Sequence, residues 1–326
     1  HEHRMNHTTR LWDSPDLARL ALETGFIADN IHGSPFENPP DWRSFYPGVP
    51  ENELTLEEKN KGIRAAIRAA QKGIDFFAEH LPPTATQYSI YVSEASWYQA
   101  NHIGQREKSA AAHALGQRIF AHGWDRNGRW STDVQDMHAS ANIDSEDATR
   151  WHAAGGQLIN YADPFPGAEN PMIFRYQGGF QMYRSGLDGQ MLHGFLNCGV
   201  PFNEWAEDFG GDGNYRNFAM VYPQRNGIIG TLAWEGVRAG YDDIRWATRL
   251  KQLADANRAS TSRELRLEAG RVLVWLESFK PTGHDIDMIR AGIQQRILIM
   301  QDAIASHKGI LPPVDRAYRK YLPAGK

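Results

Sequence analysis

Short β-like runs alternate with longer amphipathic helical runs along most of this chain, and that beat restricts it to the α/β class. Ser14-Pro15 opens a helix with proline at its first helical position, and Gly25 to Ile31 follows as a strand. Leu56 to His80 reads as a helix stopped by Pro82-Pro83. Gln87 to Ser93 reads as a strand, because Tyr88, Ile90 and Val92 alternate with Ser89, Tyr91 and Ser93. Helix Gln99 to Leu115, strand Arg118 to His122, short strand Val134 to His138, helix Ser145 to Ala154 and strand Leu158 to Ala162 come next. Helix Gln177 to Leu187 and strands Gln190 to Leu196 and Phe218 to Tyr222 continue the pattern. These make seven strands, and one more, upstream of His1 or within Arg4 to Thr9, would close a (β/α)8 barrel of the TIM type. The expected fold is therefore such a barrel over residues 1–235, lacking its first strand through truncation at the amino end. The extra C-terminal helices of residues 236–326 (Gly236 to Ala259, Ser262 to Phe279, Asp285 to Ser306) then pack on it in the same domain.

Charge and composition exclude several classes of function. Among 326 residues, 35 basic against 39 acidic side chains give a net charge of -4 without a basic run, so neither nucleic acid nor an anionic membrane is an expected partner. Cys198 is the sole cysteine, which excludes an intrachain disulfide and a cysteine-based structural zinc site. No apolar run approaches the ~20 residues that span a bilayer. The first residue is His1 and not methionine, so a mature or excised chain is expected, extracellular or periplasmic if an export signal has been removed. His1-Glu2-His3 with His7 brings metal-ligand types together but lacks the helical i, i+4 pair of a zincin, and reads as a solvated terminus. Phosphate loops and dinucleotide fingerprints are also missing, and neither a metal nor an organic cofactor is expected.

The candidate chemistry collects at strand ends. In a parallel barrel the reacting groups stand at the carboxyl ends of the strands, and Glu94 directly follows the predicted strand ending at Ser93. Beside the aromatic walls Tyr91, Trp97 and Tyr98, a glutamate can have its pKa raised for donating a proton to a leaving oxygen. The competing reading is a carboxylate in the first turn of a helix, favoured there by the macrodipole. Asp163, after the strand ending in Tyr161-Ala162, supplies a second carboxylate at the same barrel face. The loop Pro201 to Phe209 adds Glu204, Trp205, Glu207 and Asp208. Such a mixture suits a sugar, whose C–H faces lie on aromatic rings while its hydroxyls meet carboxylates and amides, although a solvated loop with one buried Trp has the same composition. His102 and His113 read as surface or core histidines, and Asn142 to Asp147 as a capped helix start with an acidic first turn.

One further run points to a family. Gly211-Asp212-Gly213, then Val221-Tyr222-Pro223, then Glu235, Arg238, Gly240 and Asp243 at the spacing E-x-x-R-x-G-x-x-D resemble the segment that closes the catalytic barrel in glycoside hydrolase family 123 and its relatives. The resemblance implies a glycoside hydrolase acting on an oligosaccharide or polysaccharide, with Glu94 as general acid/base. Family members carry Asp-Glu at this strand end, and the Asp orients the 2-acetamido group of a β-linked N-acetylgalactosamine as the nucleophile. This chain has Ser93-Glu94, which keeps the proton donor and puts a hydroxyl where the carboxylate stands. The resemblance also implies an aromatic role for Tyr161 and a sugar platform around Trp205, with Glu207 and Asp208 at its rim. From the residues alone, Asp212 reads as a turn former, while Glu235 with Arg238 reads as an ion pair at the start of the last barrel helix. A sugar-binding barrel without turnover, which Ser93 favours, is one alternative. Another is an assembly module whose contact face is Leu265, Leu267, Val272, Val274, Trp275 and Leu276.

Overall fold

The computed structural model describes residues 30–32, 48–50, 53–80, 86–88, 90–95, 106, 109–123, 129, 131–161, 170–191, 196–197, 218–280 and 285–314. The chain is a mixed α/β protein that divides into two units, His1–Ala162 with Ala317–Lys326, and Asp163–Arg316.

In the first unit β1 (Asn30–His32) pairs in parallel with β2 (Thr86–Tyr88). Between them runs α1 (Leu56–His80), which begins at a capping box: the Glu58 amide donates to Thr55 Oγ1 at 3.3 Å and the Thr55 amide donates to the Glu58 carboxylate at 2.8 Å. One residue after β2 the chain enters β3 (Ile90–Ala95). Then β4 (Ile119–Gly123), β5 (Met137–Ser140) and β6 (Gln157–Tyr161) are added in parallel, each beside the strand made before it. Parallel neighbours need crossovers, and the helical residues 109–114 precede β4 while α2 (Ser145–Ala153) joins β5 to β6.

All four residues of β5 are buried, as expected of a strand in a sheet covered on both faces. One cover is α2, whose Trp151 is 1% exposed and stacks on His138 with ring centroids 5.6 Å apart. The expected strand at Val134 begins only at Met137, because Val134 is held in a turn by its amide bond to the Ser131 carbonyl.

The second unit begins with α3 (Pro171–Tyr176), a π-helical turn (Gln177–Gln181) and α4 (Met182–Ser185), so the helix expected from Gln177 starts six residues earlier. After β7 (Gly189–Met191), β8 (Leu196–Asn197) pairs antiparallel with β9 (Phe218–Ala219), and β10 (Val221–Gln224) forms a hairpin with β11 (Gly227–Gly230). Three long helices close the unit: α5 (Leu232–Asn257), α6 (Arg263–Ser278) and α7 (Ile286–Ser306). Ile286, Ile289, Ile293, Ile297, Met300 and Ile304 of α7 recur every three or four residues and bury one stripe. They meet Leu250 and Leu253 of α5 and Leu265, Val272 and Leu276 of α6. The face proposed above for assembly is thereby divided: Leu265, Val272 and Leu276 pack inside the unit, while Leu267 and Val274 remain exposed. Among the described residues no helix is long and apolar enough to cross a membrane.

The glycines of the E-x-x-R-x-G-x-x-D run have a packing reason. A Cβ on Gly236 would stand 2.2 Å from the Pro171 carbonyl oxygen, and one on Gly240 would stand 2.8 Å from that of Arg175, so α3 and α5 touch backbone to backbone. Alanine is worth about 1 kcal/mol more than glycine in a free helix. At this crossing the added methyl meets a carbonyl that cannot rotate away, so Gly236→Ala is expected to destabilise the protein by about 1–3 kcal/mol. A urea midpoint equal to or above that of the wild type would contradict the close approach.

Candidate functional site

β3 carries the first three candidates, Tyr91, Ser93 and Glu94. Glu94 lies inside the strand, one residue before its end, and not after it as the sequence reading has it. Its backbone is therefore extended and outside the first turn of any helix. The pairing with β4 is regular from Ile90↔Ile119 to Val92↔Ala121, then slips so that Ala95 pairs with Gly123. Two residues of β3, Ser93 and Glu94, thus stand opposite one residue of β4, His122. That is a β-bulge, rare between parallel strands. Bulges bend the strand, re-aim its side chains and recur beside active sites. His122 drew no attention in the sequence beyond ending a strand, since register against Ser93-Glu94 exists only once the sheet has formed.

The other strands bring their own groups to the same carboxyl edge. β5 ends at Ser140, whose residue is fully buried and whose Oγ donates to the Ala141 carbonyl at 3.5 Å. Two residues later Asn142 has φ 53, in the left-handed region that non-glycine residues seldom adopt and that clusters at functional sites. Asp144 then caps α2, accepting from the amides of Glu146 and Asp147 at 3.0 and 3.1 Å, as the acidic first turn in the sequence implied. The connection from β4 contributes Arg129, which bonds the carboxylate of Asp147, a residue 1% exposed. That bond and the neighbouring carboxylates hold the guanidinium more firmly protonated than usual.

Tyr161 is the last residue of β6 and is 2% exposed. Its ring is enclosed in the protein and offers almost no surface. From β3 to β6 is three strand spacings, about 14 Å along the sheet. Trp97, Asp163, Trp205, Glu207 and Asp208 lie outside the described residues, as do Tyr98, Glu204 and Gly211-Asp212-Gly213.

No family model matches this chain, and no curated protein matches it either.

Other residues singled out in the sequence have structural roles. His113 lies 3.3 Å from Asp136, whose carboxylate accepts from the Ile119 amide at 2.8 Å and so ties the amino end of β4. Glu235 and Arg238 form the expected ion pair at 2.8 Å on the surface of α5. Asp243 is fully buried, accepting from Arg175 at 2.8 and 3.3 Å and from Arg290. Arg175 also donates to Asp287 at 2.7 Å, which holds the Asp287 carboxyl below the usual carboxylate range. Among the described residues no cluster of three His, Cys, Asp or Glu side chains is arranged to hold a metal ion.

Proposed function

We propose that this protein is a glycoside hydrolase built on a (β/α) barrel, with Glu94 as its general acid/base. The observation that carries the reading is the bulge at Ser93-Glu94, one residue from the carboxyl end of a parallel strand. Strands added in chain order, each parallel to the last, are what a barrel wall requires, and a glutamate at its carboxyl edge stands where leaving groups are protonated. Glu94 gives its proton to the glycosidic oxygen as the bond from C1 breaks. It then takes a proton from the water that attacks C1.

Ser93 sets the second half of the reaction. A hydroxyl can bond a sugar group but cannot stabilise the positive oxazolinium that an acetamido nucleophile produces, so Asp163 is assigned the role of second carboxylate. Trp205, with Glu207 and Asp208, forms the sugar platform in this reading, and Tyr91 and Trp97 its aromatic walls, while the enclosed Tyr161 stays out of contact with the sugar. The test is turnover of a panel of aryl glycosides by the whole chain. Retention on a polysaccharide without turnover of any of them would favour the second reading, a sugar-binding barrel, for which Ser93 is the supporting feature.

Ser93→Asp restores the carboxylate that the resembling family carries. The variant is expected to gain or raise activity on N-acetylhexosaminides and to bind a thiazoline mimic of the oxazolinium. A folded variant with neither property would confine the substrate to sugars without a 2-acetamido group.

A further inference from the structure

The hairpin of β10 and β11 has two unlike edges. Its register pairs Val221 with Gly230, Tyr222 with Ile229, Pro223 with Ile228 and Gln224 with Gly227. The Thr231 amide donates to the Met220 carbonyl at 3.0 Å, which makes Met220 and Thr231 a hydrogen-bonded pair. Such pairs alternate, so Tyr222 with Ile229 is also one, whereas Pro223 with Ile228 and Val221 with Gly230 are not. The backbone groups of that second set point away from the hairpin. On the β10 side Pro223 has no N–H to offer, and proline is a common block on an exposed edge. On the β11 side the outward groups are the N–H and C=O of Ile228 and Gly230.

That edge is open. All four residues of β11 are exposed, Ile228 at 63% and Ile229 at 44%, and the strand contains neither a charge nor a proline. Among the described residues β11 pairs only with β10. Leu232, two residues after it at the start of α5, is exposed as well.

We propose that β11 pairs antiparallel with β11 of a second copy of this chain, giving a two-fold, four-stranded sheet in the order β10-β11-β11-β10. The outward groups dictate the register. Ile228 of each copy exchanges both backbone hydrogen bonds with Gly230 of the other, and Ile229 faces its own equivalent on the two-fold axis. In this register Ile228 crosses Gly230, where the Trp234 and Glu235 side chains lie close, and the two Ile229 side chains pack on each other. Only one edge of the hairpin is usable, so the assembly closes as a dimer and does not extend into a fibre.

The test is the mass of the full-length chain in solution, by light scattering and sedimentation over a broad concentration range. The wild type is expected to dimerise. Ile229→Lys and Ile229→Asp each place like charges on the axis and should raise the dimer dissociation constant on the order of 100-fold. Mixing the two variants should restore a dimer. Ile229 is exposed in the single chain, so both variants should keep the wild-type circular dichroism, and their melting temperature should equal that of the wild type measured at low concentration, where it is monomeric. A wild type that stays monomeric at high concentration, a variant that dimerises as well as the wild type, or a mixture that remains monomeric would each overturn the proposal. Hydrogen exchange on the wild type gives a second measurement that needs no variant: the Ile228 and Gly230 amides should gain protection as concentration rises, and unchanged exchange in a dimer would exclude β11 as its seam.

Discussion

Glu94→Gln is expected to lower kcat on a natural glycoside by about 10²- to 10⁴-fold while leaving substrate affinity close to that of the wild type. The amide has the shape of the acid but cannot give up a proton at neutral pH, so only the protonation of the leaving oxygen is lost. Aryl glycosides with strongly acidic phenols leave without that help, and their turnover should fall far less in the bond-breaking step. The contrast between the two substrate classes distinguishes a proton donor from a glutamate that merely shapes the strand. Equal losses for both, or wild-type turnover of the natural glycoside, would remove Glu94 from the mechanism. The variant should also fold normally, since glutamine has the size and shape of glutamate and stands at a bulge, where the ladder is already interrupted.

Asp243→Ala is expected to cost about 3–5 kcal/mol of stability, because it leaves two arginines facing a site from which their counter-charge has gone. Arg175 is the more exposed to that loss of partner: its residue is 7% accessible, and two of its three carboxylate bonds end on Asp243. Arg290 keeps a bond to the Ala239 carbonyl at 2.7 Å and a route to solvent. Since whole domains are stable by only about 5–15 kcal/mol, the variant should unfold at much lower urea than the wild type. An unchanged midpoint would show that the network contributes nothing net. Asp287 adds a smaller, acid-sensitive part. Its carboxyl is held below the usual range, so the stability it provides is present above the ordinary carboxylate pKa of about 3.9 and is lost as the pH falls through the lowered value. Its side chain is 80% exposed, and solvent screening keeps that share slight.

Helices announced by caps were legible in the sequence to within a few residues. Thr55 with Glu58, Asp144 with Asp147, and Ser262, whose Oγ accepts from the Leu265 amide, are local signals that need no tertiary context. The start of α3 was missed because Asn170 makes no side-chain cap bond, leaving Pro171 as the sole cue. The hairpin was missed for a similar reason: Pro223 argues against a strand, and Gly227 and Gly230 leave only Ile228 and Ile229 to argue for one. At the site, Glu94 could be chosen from its place at a strand end, but the bulge is a relation between β3 and β4 that no single segment contains. Asp243 shows the same limit from the structural side. Its position was read from the sequence, while its partners lie 68 residues before it and 47 after it.

The π-helical turn between α3 and α4 has its own consequence. Gly178 and Gly179 sit within it, and Gly179, at φ -112 and ψ -112, leaves the helical region altogether. An uninterrupted α-helix advances about 100° per residue, which would leave Arg175 and Phe180 about 140° apart around the axis. The wider turn takes up an extra residue and reduces that angle. Arg175 can then reach Asp243 while Phe180, fully buried, meets Phe279 edge-on at 5.5 Å, and Arg184 lies over the same Phe279 ring. The turn acts as a phase shifter: it brings a charge and an aromatic ring, out of step in the amino-acid order, to bear on one helical layer.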